Sequence, residues 1–407
     1  MLYPYLTYIK YFFIIIFIIL FFFILYIRNK FKFWTIQPVF HIYDISYYFF
    51  PPGIIEERMP EKNKYCNFKN IEFIPYSKLS DIRIKQILRF IQKNYLKNKE
   101  NIFKPERNNF DPYFIGHNCD SFFSLYLEDE LLLDTKTNES IENKKIVSVM
   151  TTRPLHVFIN NGNKDSFFDV YYVDYLCVDR NNRKSGIAPQ MIQTHEYYQR
   201  LKNKNIKVSL FKREGDLTGI VPLCIYSTYG FKMDGTWNTV DSMFHPSLAI
   251  IEIGGQNIHI LTDFIRNSHK KFDIVILPET THIMELVKTK NLFVYIVVEK
   301  GQVLCAYFFT KSCTYMKKGV EVLAFTASIN KCKDNRIFVL GYKLILQKIC
   351  KTWPEFKYAT IEDNSDNGII LKSILKEVKP DIISPTAYFF YNFAYVTLLP
   401  KKVFIIH

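Results

Sequence analysis

The residues best suited to chemistry lie in the run YLCVDRNNRKSGIAP, from Tyr175 to Pro189. An apolar strand holding Tyr175, Leu176, Cys177 and Val178 leads into a loop of the pattern Arg-x-x-Gly-x-Ala. That loop is formed by Arg183, Lys184, Ser185, Gly186, Ile187 and Ala188, and a helix is predicted to open near Pro189. Such a turn suits an anion. Successive N–H groups at a helix N-terminus point at the ligand, Gly186 and Ala188 let the backbone approach closely, and Arg183 adds charge. A pyrophosphate fits this chemistry, and the alternative is an ordinary basic surface loop.

Other reactive residue types carry blander readings. Cys177 sits on an apolar strand with no basic neighbour in sequence, so a core thiol is expected rather than a nucleophile. His195 reads as a half-buried or surface histidine. His282 and Glu285 have His-x-x-Glu spacing but lack a second histidine four residues on, which excludes the usual zinc pattern. Asp174 either attracts an ammonium or bonds a neighbouring strand. The eight cysteines form no Cys-x-x-Cys pair and lie mostly in apolar runs, so reduced thiols in a cytosolic domain are expected, with no metal site.

These residues need a scaffold. Residues 145–157 and 167–178 read as strands joined by the turn NNGNKDS, and a helix is predicted from about 189 to 202. A Pro-rich irregular stretch and a helix over about 78–96 precede them. Further on, helices are predicted in ILTDFIRNSH and VLGYKLILQKICK. Strands are predicted in LFVYIVVEK, VLCAYFFTK, EVLAFTASI, TAYFFYNFAYV and KVFIIH. The expected class is α/β (α+β), with two mixed halves meeting near residue 245.

Residues 11–27 are seventeen in a row without a charge, enough to cross a hydrocarbon core of ~30 Å at ~1.5 Å per residue. Lys10 precedes them and Arg28, Lys30 and Lys32 follow, without a small-residue cleavage site. A single-pass anchor with the bulk of the chain on the cytoplasmic side is expected. The net charge of +14 over 407 residues permits nucleic acid, anionic lipid or a polyanionic cofactor. Lys and Arg are scattered without a nucleic-acid-binding signature, so no nucleic-acid partner is expected. An apolar share of 48% excludes global disorder.

The Arg-x-x-Gly-x-Ala turn after such a strand resembles the acetyl-coenzyme A turn of the Gcn5-related acyltransferase (GNAT) superfamily. The fuller run resembles the version found in the N-myristoyltransferase family. FWTIQPV at 33–39, residues 292–327 and YFFYNF at 388–393 match the same family in the same order, so the resemblance spans residues 33–407. It implies two tandem GNAT-like halves: 33–245 for acyl-CoA and 246–407 for a peptide, after an anchor and basic flank at 1–32. Phe33 and Trp34 would lie near the CoA adenine and 3′-phosphate. Cys177 and Val178 would pair with the pantetheine, and Arg183, Lys184, Ser185, Gly186, Ile187, Ala188 and Pro189 would hold the pyrophosphate.

The resemblance further implies that the backbone N–H groups of Tyr175 and Leu176 polarise the thioester carbonyl. The base would be the α-carboxylate of His407. The implied donor is myristoyl-CoA with no permanently bound cofactor, and the implied partners are proteins with an N-terminal glycine, together with the bilayer, for a monomer. Three departures favour a catalytically altered relative as the alternative. Asp174 stands where the family has Asn, Leu210 to Arg213 where it has Tyr-Thr-Ala-Gly, and basic residues Lys97 and Lys99 where it has an acidic loop.

Overall fold

The computed structural model describes residues 3–96, 101–133, 140–160, 165–215, 219–233, 244–316 and 319–407. Most of the predicted turn at 160–166 and the basic stretch with Lys97 and Lys99 lie outside them. The chain opens with a helix, Tyr3–Lys30, whose segment Tyr8–Lys30 is long and apolar enough to cross a membrane. No part of that segment's most apolar stretch is buried against the rest of the molecule.

Most strands join one mixed sheet. Along its main path, Val403–Ile405 lies beside Ile274–Leu277, followed by Ser140–Ile159, Ser166–Val178, Val208–Glu214, Ile382–Tyr391 and Cys224–Lys232. The path continues through Phe356–Glu362, Val320–Asn330, Gln302–Met316, Leu292–Glu299 and Leu248–Glu252. Strands from either side of residue 245 therefore alternate, with Ile382–Tyr391 bonded antiparallel to both Val208–Glu214 and Cys224–Lys232. Ser140–Ile159 is the central member of the first half. Every residue from 147 to 155 is buried, as a strand covered on both faces requires, and its Val and Thr content suits a pleated surface.

Helices cover the faces. Asp81–Asn94 is N-capped by the Ser80 side chain, which accepts from the Arg83 N–H at 3.3 Å. It buries Ile84, Ile87 and Ile91 against Phe123, Leu125 and Val149, each such side chain contributing roughly 1.5 to 3 kcal/mol when taken from water. Ile187–Lys202 covers the neighbouring part of the sheet through Ile187 and Met191. It begins two residues before the predicted Pro189, which still falls in its first turn. Asn335–Thr352 does the same for the second half, with Phe338, Tyr342, Ile345 and Leu346 in a cluster with Tyr307 and Phe325.

Candidate active site

The site forms where two strands part. Ser166–Val178 runs parallel to Val208–Glu214, with paired residues only from Val170–Val208 to Val173–Phe211. On its other side its register against Ser140–Ile159 slips: Thr152 faces Val173 and Met150 faces Leu176. Asp174 and Tyr175 therefore stand opposite Thr151 alone, which is a β-bulge, a device that re-aims side chains and backbone groups. The Tyr175 N–H donates to the Thr151 hydroxyl at 3.3 Å, and the Tyr95 hydroxyl donates to the Asp174 carbonyl at 3.3 Å.

Two cavities meet at this bulge. The inner one, about 340 Å³, lies in the rift between the parted strands and is walled by Met150, Val173, Leu176, Ile192, Phe211 and Trp34. Asp174, Lys212 and Arg213 add charge to it. The outer one, about 620 Å³, is lined by Cys177 and Val178 and by the whole loop from Asn182 through Arg183, Lys184, Gly186, Ile187 and Ala188 to Pro189, apart from Ser185. Tyr95 and Leu176 belong to both walls.

The outer cavity has the electrostatics of an anion site. Gly186 caps the helix Ile187–Lys202 with φ 84°, and a Cβ there would meet open space, so the backbone conformation alone demands glycine. Lys184 also takes a positive φ of 66°. Arg183 donates to the Asn94 carbonyl at 2.9 Å and to that of Val178 at 3.4 Å, tying the loop to the end of the helix Asp81–Asn94. The helix N-terminus, Arg183 and Lys184 together place positive potential at the cavity.

Behind the inner cavity lies a polar network. Arg153 is fully buried and donates to Asp174 through Nε at 2.7 Å and a terminal nitrogen at 3.3 Å. The rings of Tyr113 and Tyr172 lie 5.3 Å from its guanidinium carbon. Burial pushes the Asp174 carboxyl above its ordinary range, with Arg153 pulling the other way. Lys212 pairs with Glu362 at 2.8 Å; burial pulls its ammonium down, but Glu362, Tyr172 and Glu214 together raise it above the ordinary lysine value, so it stays charged.

The tail is held firmly. Val403–Ile405 pairs parallel with Ile274–Leu277, and Phe404 is buried against Phe272 and Phe308. The His407 ring stacks on Tyr172 at 4.3 Å, and its Nε2 lies 2.8 Å from the Tyr388 hydroxyl and 3.2 Å from that of Tyr172. Burial, followed by the charges of Lys212 and Arg153, holds its imidazole well below the ordinary histidine range, so it is neutral.

Of the residues singled out in the sequence, Asp174 lines the inner cavity, Leu176 both, and Cys177, Val178 and the 183–189 loop apart from Ser185 the outer one, while Tyr175 and His407 line neither. Trp34, expected near the CoA adenine and 3′-phosphate, stacks on Phe211 at 5.9 Å and lines the inner cavity. Phe33 packs edge-on against Trp34 and Tyr65 and, like Trp34, does not line the loop cavity. The chain leaving Lys30 turns through the short helix Trp34–Ile36, which seats Trp34 beside the rift.

Burial drives the Cys177 thiol up to about 12, consistent with an inert core residue. His195 is fully enclosed, bonded at both ring nitrogens to Ser124 and Thr152, more buried than expected. Sequence reasoning missed Arg153, Tyr172, Tyr388 and Glu362. An arginine inside the strand-like run VMTTRPLHV was the available signal for the first. Among the described residues no cluster suited to a metal ion occurs.

The arrangement is a mixed α/β fold: one large mixed sheet covered by helices, with the 183–189 turn opening a helix beside the parted strands. Residues 57–224 match the family model of the N-terminal domain of myristoyl-CoA:protein N-myristoyltransferase. Among solved structures the chain is similar to Saccharomyces cerevisiae N-myristoyltransferase with bound myristoyl-CoA, at TM-score 0.67 and 11% identity, over 90% of this chain and 94% of that one. A second structure of the yeast enzyme with myristoyl-CoA gives TM-score 0.67 and 11% identity over 92% of this chain and 91% of that one. A tandem GNAT protein from the clavulanic acid biosynthesis pathway gives TM-score 0.51 and 9% identity, over 81% of this chain and 100% of that one. At these identities the likeness is one of fold. No curated protein matches the sequence.

Proposed function

We propose that the protein transfers a myristoyl group from myristoyl-CoA to the N-terminal glycine amine of a protein. The observation that carries this reading is the meeting of two cavities at Leu176, one basic and opened by a helix N-terminus, the other walled mostly by apolar side chains. A long acyl thioester has the same division: polyanionic at one end, hydrocarbon at the other. Its pyrophosphate would sit on the loop from Arg183 to Pro189, its pantetheine along Cys177 and Val178, and its thioester at the bulge. The chain would then lie among Met150, Val173, Ile192 and Phe211.

The amine nitrogen attacks the thioester carbonyl carbon, the C–S bond breaks, and the CoA thiolate leaves and takes a proton. N–H groups at Tyr175 and Leu176 stabilise the transient oxyanion, that of Tyr175 by exchanging its long bond to Thr151. The amine's proton passes to the α-carboxylate of His407, whose residue is clamped by Tyr172 and Tyr388 between the charges of Lys212 and Arg153. Asp174 draws the ammonium in. Residues 33–245 hold the donor and 246–407 supply most of the acceptor groove. The helix Tyr8–Lys30 spans a bilayer, with the catalytic part on the cytoplasmic side and active as a monomer.

Lys212 and Arg213, cations at the inner cavity, favour a second reading: a relative that accepts another amine or only binds acyl-CoA. The full chain in nanodiscs, given labelled myristoyl-CoA and a library of Gly-initiated peptides, separates the two. Label on peptide is expected. Donor binding without transfer to any glycine peptide would overturn the first reading in favour of the second.

A further inference from the structure

A second apolar surface lies beside the end of the long N-terminal helix. From Ile45 to Ile55 the chain reads ISYYFFPPGII, eleven residues without a charge. The short helix Ile45–Phe49 and the following residue leave Ile45 63%, Phe49 73% and Phe50 82% exposed, with Tyr48 at 44%. A soluble surface rarely clusters bare side chains of this size, and such a cluster marks a contact with something apolar.

The loop is held open from both ends. At its start the Ile42 N–H donates to the Gly219 carbonyl at 3.1 Å, and the rings of Tyr47 and Tyr48 pack on buried Phe40 at 5.6 and 4.8 Å. At its end Gly53 and Ile54 pair with Ala394 and Phe393, and the Glu56 N–H donates to the Asn392 side chain at 2.8 Å. Pro51 and Pro52 stiffen the return. The apolar residues are thus displayed by a supported loop.

Its position names the occupant. Ile27, near the end of the long helix, lies over Gly219 so closely that a Cβ there would come within 2.7 Å of its Cγ2. Gly219 is also the residue that binds Ile42. The Arg28 guanidinium stands over the Tyr43 ring at 5.2 Å. The apolar loop therefore begins two residues beyond a contact with the membrane-proximal end of the helix, where Arg28, Lys30 and Lys32 would meet lipid headgroups.

We propose that Ile45, Tyr48, Phe49 and Phe50 form an aromatic foot that inserts into the interfacial layer of the same bilayer that the helix Tyr8–Lys30 spans. This rests on the reading of that helix as a span. One helix alone would leave the domain free to swivel about it. A second contact beside it fixes which face of the domain looks at the lipid, as interfacial Phe and Tyr do elsewhere.

The test uses the full chain in phosphatidylcholine vesicles containing brominated acyl chains, which quench tryptophan on contact. Phe49→Trp and Phe50→Trp are each compared with the parent, which has three tryptophans, and with Phe22→Trp inside the helix. The foot tryptophans are expected to add emission that brominated lipid reduces about twofold, as the helix tryptophan does. Quenching at Phe22→Trp with none at Phe49→Trp and Phe50→Trp overturns the foot and leaves the span standing. Quenching at none of the three overturns the span and the foot with it. Foot tryptophans that shift to the blue unquenched show cover by protein, which also overturns a lipid contact.

Discussion

Arg153 has no exposed surface, holds Asp174 through two donors and is covered by Tyr113 and Tyr172, so its charge is answered almost entirely by one carboxylate. Removing one partner of such a pair leaves the other buried and uncompensated. Asp174→Ala is therefore expected to cost roughly 3 to 5 kcal/mol in urea melts, and Arg153→Met in the same chain to restore most of it. Additive losses would show that the two do not act as a pair. His195 makes a separate prediction through pH. Burial lowers its ring to about 3, below its ordinary value of 6.5, so the unfolded chain binds the extra proton as pH falls. Its contribution is complete above pH 6.5 and drains by up to about 1.4 kcal/mol per pH unit toward pH 3. His195→Gln should flatten the fall in melting temperature over that window.

The strand, loop and helix around Tyr175 to Pro189 were legible because their signals are local: an apolar run, a glycine that must take φ 84°, a proline in a first turn. The bulge at Asp174 and Tyr175 was not, because it arises from a register slip against residues that are some two dozen positions away in sequence. The same holds for the network. Glu362 reaches Lys212 across 150 positions and His407 reaches Tyr172 across 235, which no periodicity can announce. The strand Phe122–Leu133 escaped sequence reading, and so did the short helical turn Trp34–Ile36 that seats Trp34 beside the rift. At the loop, Gly186→Glu brings a left-handed backbone strain of about 1 to 2 kcal/mol and a carboxylate facing the anion site. Acyl-CoA affinity by calorimetry is expected to fall more than tenfold, with the fold retained. Unchanged affinity would remove the loop from the donor site.

The sheet decides how the whole molecule holds together. Ile382–Tyr391, from the last part of the chain, fills the gap between Val208–Glu214 and Cys224–Lys232, bonding both. Ile274–Leu277 pairs with Ser140–Ile159 and is itself flanked by Val403–Ile405. Residues 33–245 alone would thus lose the partners of three strands and expose Leu155, Val157, Leu210 and Tyr226, which share one core with Ile274, Ile276, Tyr388 and Ile405. Backbone groups left bare along buried strands and apolar side chains returned to water both oppose folding. The fragment 33–245 is therefore expected to lack a cooperative melt and slow-exchanging amides. Mixing it with 246–407 should restore protection at Ser140–Ile159, Val208–Glu214 and Cys224–Lys232, the strands whose neighbours return. A sharp transition and native-like exchange in the isolated fragment would show that each half closes its own core, and that the interleaved strands only dock.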